Sequence, residues 1–125
     1  MPSGSDLSSL EYIKDADVMV GSIKCSNVDR QEADIIYEYY LAEVTNHPDY
    51  SDFVLDARTV ENVSNSAIGI LMKSLEIMKR GKTFAILVMT EKLLQEIMLQ
   101  HPEMFDFYAV FHTLDDALSY VKKRK

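Results

Sequence analysis

Asp56 follows Phe53, Val54 and Leu55, a continuous apolar run that suits a strand buried on both faces. A carboxylate emerging there can accept a phosphoryl group, ligate a cation or cap the loop that follows. Further along, Thr59, Ser64 and Ser66 carry hydroxyls, with the amide of Asn65 among them. Other reactive groups are sparse. His47, His101 and His112 have no neighbour at ligand or catalytic spacing, so neither a metal site nor a histidine base is expected. The single cysteine, Cys25, cannot close an internal disulfide; it alternates with Val18, Val20 and Ile23 and reads as a core or strand-face residue. The four glycines are too far apart for a phosphate-cradling loop. No cofactor and no catalysis are expected.

The elements that must position these groups follow from the apolar periodicity. Alternation over 17–26 predicts a strand, with a kink or bulge where the period slips at Gly21, preceded by a short strand at 11–14. From Asp29 the spacing turns helical, through Ala33, Ile36, Tyr37, Tyr40, Leu41 and Val44, and Asn46, His47, Pro48 and Asp49 end the run. The strand at 53–55 leads to a helix over 64–79 with Ile68, Leu71, Met72, Leu75 and Met78 on one face and Arg80, Gly81 and Lys82 as its stop. A continuous apolar strand at 84–89 precedes Thr90, a good N-cap for a helix carrying Leu93, Leu94, Ile97 and Met98. A last strand at 108–111 meets Thr113 and Asp116, which resemble a capping box opening a final helix. Met72, Met78, Met89 and Met98 read as core filling.

Alternating strands and helices predict a single α/β domain: a mixed, mainly parallel sheet of four to five strands with about four helices, over residues 10–125. Residues 1–9 lack the basic start and apolar stretch of a signal peptide and read as a loose polar tail, so a cytoplasmic location is expected. In such sheets function gathers at the carboxyl ends of strands, here the loops 56–65, 90–92 and 112–114. A length of 125 residues with 47% hydrophobic content can bury one core without staples, and no apolar run reaches a membrane span. The net charge of −7 argues against nucleic acid, and the one basic run, 122–125, reads as the solvated end of the last helix. Asp56 invites comparison with the phosphoacceptor of a response-regulator receiver. That site needs an acidic pair where Val20, Gly21 and Ser22 stand and a lysine where Phe111, His112 and Thr113 stand, so Asp56 is read as a loop cap.

The segment F-V-L-D-A-R-T-V-E-N-V-S-N-S-A-I-G-I-L over 53–71, then G-K-T-F-A-I-L-V-M-T over 81–90 and F-H-T-L-D-D-A-L over 111–118, resembles the STAS domains of anti-sigma factor antagonists, stressosome subunits and sulphate-transporter tails. That family shows a strand ending in Leu-Asp-Leu, then Ile-Asp-Ser-Ser-Gly-Leu-Gly opening a helix, a Gly-Lys strand and a late Leu-Glu-Glu-Ala-Leu helix. The resemblance covers 53–121. Leu55 and Asp56 match the strand end, and Val63, Ser64, Asn65, Ser66, Ala67, Ile68 and Gly69 fall on the helix-opening motif.

The resemblance implies a non-catalytic regulatory module that docks a partner protein, an anti-sigma factor or switch kinase, through the loop and helix at 58–72. Arg58, Asn62, Ser64, Asn65, Ser66, Ile68, Met72 and Thr90 are the implied contact residues. In antagonists the motif's first serine is phosphorylated, and the added charge of about −2 expels the partner surface. Here that position is Asn65, which cannot accept phosphate, and Ser64 and Ala67 replace the motif's aspartate and glycine. Both Ser64 and Asn65 are also favoured N-caps, so these changes equally suit a plain helix start. Ser64, Ser66 and Thr59 remain as alternative phosphorylation sites. The alternatives to partner docking are a small-ligand sensor for an anion or nucleotide and a self-assembling, stressosome-like subunit.

Overall fold

The computed structural model describes residues 3–46, 49–78, 85–106 and 108–123. In chain order the elements are α1 (Gly4–Leu7), β1 (Ser8–Ile13), β2 (Val18–Ile23), β3 (Asn27–Val28), α2 (Arg30–Asn46), β4 (Asp52–Asp56), β5 (Asn62–Val63), α3 (Asn65–Met78), β6 (Ala85–Val88), α4 (Glu91–Gln100), a 3-10 turn (Pro102–Asp106), β7 (Tyr108–Phe111) and α5 (Leu114–Lys123). Five strands form one sheet in the order β1-β2-β4-β6-β7. β1 runs antiparallel to β2; the other pairings are parallel. This is the expected mixed, mainly parallel α/β sheet.

Period-two alternation divides the interior into two layers. Met19, Ile23, Phe53, Leu55 and Leu87 point to a core shared with α2, α3 and α4, through Ile36, Tyr40, Leu75, Met78, Leu93 and Ile97. Val18, Val20, Val54, Ile86 and Val88 point the other way, where Ala117 and Val121 of α5 cover them. All five residues of β4 are buried, as the unbroken apolar run at 53–55 predicts for a strand covered on both faces.

Gly21 does not kink its strand. The β1–β2 register runs unbroken, with Leu10 opposite Gly21. The glycine is there because Tyr40 comes too close: a Cβ at Gly21 would lie 2.6 Å from the Tyr40 hydroxyl oxygen. That hydroxyl is hydrogen-bonded to the buried Ser8 side chain, and Ser8 Oγ also donates to the Ser22 carbonyl at 2.9 Å. Part of the stretch expected as a loose tail is therefore built into the fold. β1 begins at Ser8, and Leu7 packs against the core.

Other expectations shift in detail. Leu41 and Met98 are exposed rather than core, because each lies beyond the stripe its helix turns to the sheet. β3 and β5 form a two-residue parallel ladder of their own, too short to show a period in the sequence. The helix stops at His47 and Pro48 and at Arg80, Gly81 and Lys82, the strand start at Phe84, and the basic residues Arg124 and Lys125 lie outside the described residues. Tyr50 Oη donates to the Met78 carbonyl at 2.6 Å, so one of the orphan acceptors at the end of α3 is satisfied from the loop before β4. Among the described residues no helix is long and apolar enough to cross a membrane.

Gly21→Ala is expected to cost about 1–3 kcal/mol through overpacking. Combining it with Tyr40→Phe, which removes the opposing hydroxyl, should recover part of that loss. Urea unfolding of the single and double variants measures the coupling; strictly additive losses would show that this contact does not limit the packing.

Candidate functional site

The carboxyl end of β4 turns sharply at Asp56. Its Oδ1 accepts the Arg58 backbone N–H at 3.1 Å and Arg58 Nε at 3.0 Å, while Oδ2 accepts Nη2 at 2.7 Å. This bidentate pair joins a buried carboxylate to a guanidinium that is 44% exposed. Asp56 is thus the loop cap that its position suggests, and its oxygens are committed to Arg58. Val60 N–H donates back to the Ala57 carbonyl at 3.1 Å, and both side chains are buried, leaving Arg58 and Thr59 at an exposed tip.

The chain then runs beside the segment that follows β2. Asn62 and Val63 of β5 pair with Asn27 and Val28 of β3, and Asn62 Nδ2 donates to Asn27 Oδ1 at 2.9 Å. Ser64 N–H donates to the Val28 carbonyl at 3.0 Å. The supposed loop at 56–65 is therefore partly strand. Only two isolated valines, Val28 and Val63, signalled it.

Ser64 caps α3. Its hydroxyl accepts the Ala67 N–H at 3.1 Å, lies 3.2 Å from the Ser66 hydroxyl and is close enough to the Asp29 carboxylate to help lower its pKa. Asn65 and Ser66 stand exposed in the first turn. Asn65 Oδ1 lies 3.4 Å from Nε2 of His101, whose Nδ1 is 3.5 Å from Glu103 Oε1. His101 looked isolated in sequence; its neighbour is distant along the chain and no spacing rule reveals it.

Other implied contact residues separate into two groups. Arg58, Asn62, Asn65, Ser66 and Thr90 are exposed, as is Thr59, the alternative phosphorylation site before the motif. Thr90 also accepts the Leu93 N–H at 3.2 Å as the expected cap of α4. Ile68 is 5% exposed and belongs to the core, and Met72 is half-buried against it. Neither Ile68 nor the inner part of Met72 is a contact surface, because both lie on the stripe that α3 turns to the sheet. His112 Nδ1–H donates to the Met89 carbonyl at 2.8 Å and so ties β7 to the end of β6. Burial holds the Cys25 thiol above its ordinary pKa, away from a reactive thiolate. Among the described residues no three His, Cys, Asp or Glu side chains gather as a metal-ligand set.

Sequence reasoning placed Gly69 on the helix-opening motif but gave it no role of its own. It sits exposed inside α3, and a Cβ there would meet nothing within 4 Å. A mid-helix glycine costs about 0.5–1 kcal/mol relative to alanine, and no packing among the described residues requires it. Gly69→Ala should accordingly raise stability by about that amount. Chemical denaturation measures it; a loss of stability would mean that a contact unseen here needs the glycine.

No family model matches the sequence, and no curated relative does. Solved structures do. An anti-sigma factor antagonist from Mycobacterium paratuberculosis superposes with a TM-score of 0.72 at 22% identity, covering 92% of each chain. An anti-sigma-factor antagonist (STAS) domain protein from Planctomyces limnophilus gives 0.70 at 17% identity, over 91% of this chain and 96% of that one. The Bacillus cell fate determinant SpoIIAA in its phosphorylated form gives 0.62 at 11% identity, over 91% and 98%. At these identities the likeness is one of fold, and the chain has the STAS fold of the anti-sigma factor antagonists.

Proposed function

We propose that this chain is a non-catalytic, cytoplasmic regulatory module of the anti-sigma factor antagonist type, docking a protein partner through the loop 58–62 and the outward face of α3. The observation that carries this reading is the entrance of α3. Asn65, Ser66 and Gly69 lie exposed on a helix whose first turn is anchored by Ser64, on a scaffold similar to antagonists along nearly its whole length. A glycine that the fold does not need allows a partner's backbone to come close to the helix. The partner class is an anti-sigma factor or a related switch kinase.

Gly69→Arg tests the surface without disturbing the core, since the position faces open space and arginine is a good helix former. Affinity capture from the source cells with mass spectrometry should recover a partner of that class with the natural chain and lose it with the variant, at unchanged or higher Tm. Equal recovery by both proteins would sink this surface. Ile68→Arg is unsuitable for the purpose, because a charge there would enter the core.

Regulation differs from that of an antagonist with a serine at position 65. Asn65 cannot take phosphate, which leaves the module in its binding state unless another hydroxyl is used. Ser64 is half-buried and its hydroxyl is engaged by Ala67 and Asp29, whereas Ser66 and Thr59 are exposed. Phosphate on the protein from its native cells is expected on Ser66 or Thr59 and not on Ser64. Phosphopeptide mapping checks this, and an unmodified protein at all three positions would remove the alternative-site idea.

A further inference from the structure

Beside the entrance of α3 lies an open hollow of about 330 Å³. Its charged lining among the described residues is the two carboxylates Asp29 and Glu96, with Asn27, Asn62, Ser64, Val28 and Val63 alongside. Asp29 is held ionised, its carboxylate accepting the Arg30 N–H at 2.8 Å and a hydrogen bond from Ser64, which lower its pKa. Small-molecule sites are mostly enclosed and apolar. This one is open, with two carboxylates beside two valines, and it fits a side chain presented by another protein better than a free ligand.

Glu96 joins the hollow to a second feature. On the same helix Leu99 is 86% exposed and Met98 51% exposed. Leu99 stands three residues after Glu96 and is its neighbour on the helix surface. His101, at the end of α4, lies against Asn65, so this last turn is continuous with the entrance of α3.

The charges decide what can cover it. A second copy packed about this turn would bring Glu96 and Glu103 toward their own counterparts near the two-fold axis, and a net charge of −7 on each molecule adds to that repulsion. An anionic membrane is repelled for the same reason. We propose that the last turn of α4 and the adjoining hollow dock a basic segment of a protein partner. An arginine or lysine of that segment enters the hollow toward Asp29 and Glu96, while an apolar residue beside it covers Leu99. This rests on reading the entrance of α3 as partner-facing and adds the partner's chemistry.

The probe is a synthetic helical peptide with leucines on one face and arginines flanking them, compared with a twin carrying glutamate for arginine. NMR shift mapping on the full chain should place the arginine peptide at Glu96, Met98, Leu99 and the Asn62 amide, with no binding of the twin. Leu99→Ser should weaken binding about fivefold or more, and Glu96→Gln about threefold with a shallower salt dependence. Both residues are exposed, so Tm should hold. Equal binding of the twin, shifts elsewhere, or unchanged affinity in both variants overturns the proposal. So does a dimer in sedimentation that Leu99→Ser dissolves, which would make a second copy the occupant. Because Gly69 is left untouched, loss of the Leu99 effect with intact sensitivity to Gly69→Arg would strike this inference alone.

Discussion

The central strand β4 is buried along its whole length, and the fold is organised around keeping it dry. Phe53 and Leu55 face the layer of α2, α3 and α4, and Val54 faces α5. Burying a side chain of this size stabilises by about 1.5–3 kcal/mol, so both layers are needed to complete the strand. The strand ends on a carboxylate, and a carboxylate leaving so apolar a place needs a partner at once. Arg58, two residues on, supplies it with two hydrogen bonds from its guanidinium and one from its backbone. That pairing bends the chain into the loop that carries Thr59 to the surface and brings Asn62 and Ser64 back toward β3.

From this turn the rest of the site follows by hydrogen bonding rather than by hydrophobic burial. Backbone donors of Glu61, Asn62 and Ser64 find the carbonyls of Ser26 and Val28. The Ser64 side chain then satisfies a donor of the first turn of α3, and packing of that helix on the sheet turns Ala67 and Ile68 inward. Asn65, Ser66 and Gly69 face outward as a consequence. The exposed face of the helix is thus what the packing of its other side leaves over, and substitutions on it should have little effect on folding.

Much of this was legible in the sequence. The apolar runs at 53–55 and 85–88 and the helical stripes of Ile36, Tyr40, Leu75 and Ile97 are strong local signals, since each side chain must choose a face with a fixed period. Caps are also local: Thr90, Thr113 and Ser64 each accept a backbone N–H three residues on, within reach of a single side chain. The role of Asp56 as a loop cap was readable for the same reason, its partner being two residues away.

What the sequence alone determined was thus the order of the longer strands and helices, the buried strand and the place where the chain opens into α3, because those depend on neighbours within a few residues. Only the tertiary structure decided which side chains at that place face outward. Ile68 passes from contact residue to core because the rotation of α3 is set by its packing on the sheet. Gly21 reads as a kink until Tyr40 arrives from another element to claim the space of its missing side chain. The position of Asn65 at the entrance of α3 is read from the sequence. That it meets His101, and that α4 extends its surface with Glu96 and Leu99, depends on contacts between distant segments, which no local spacing encodes.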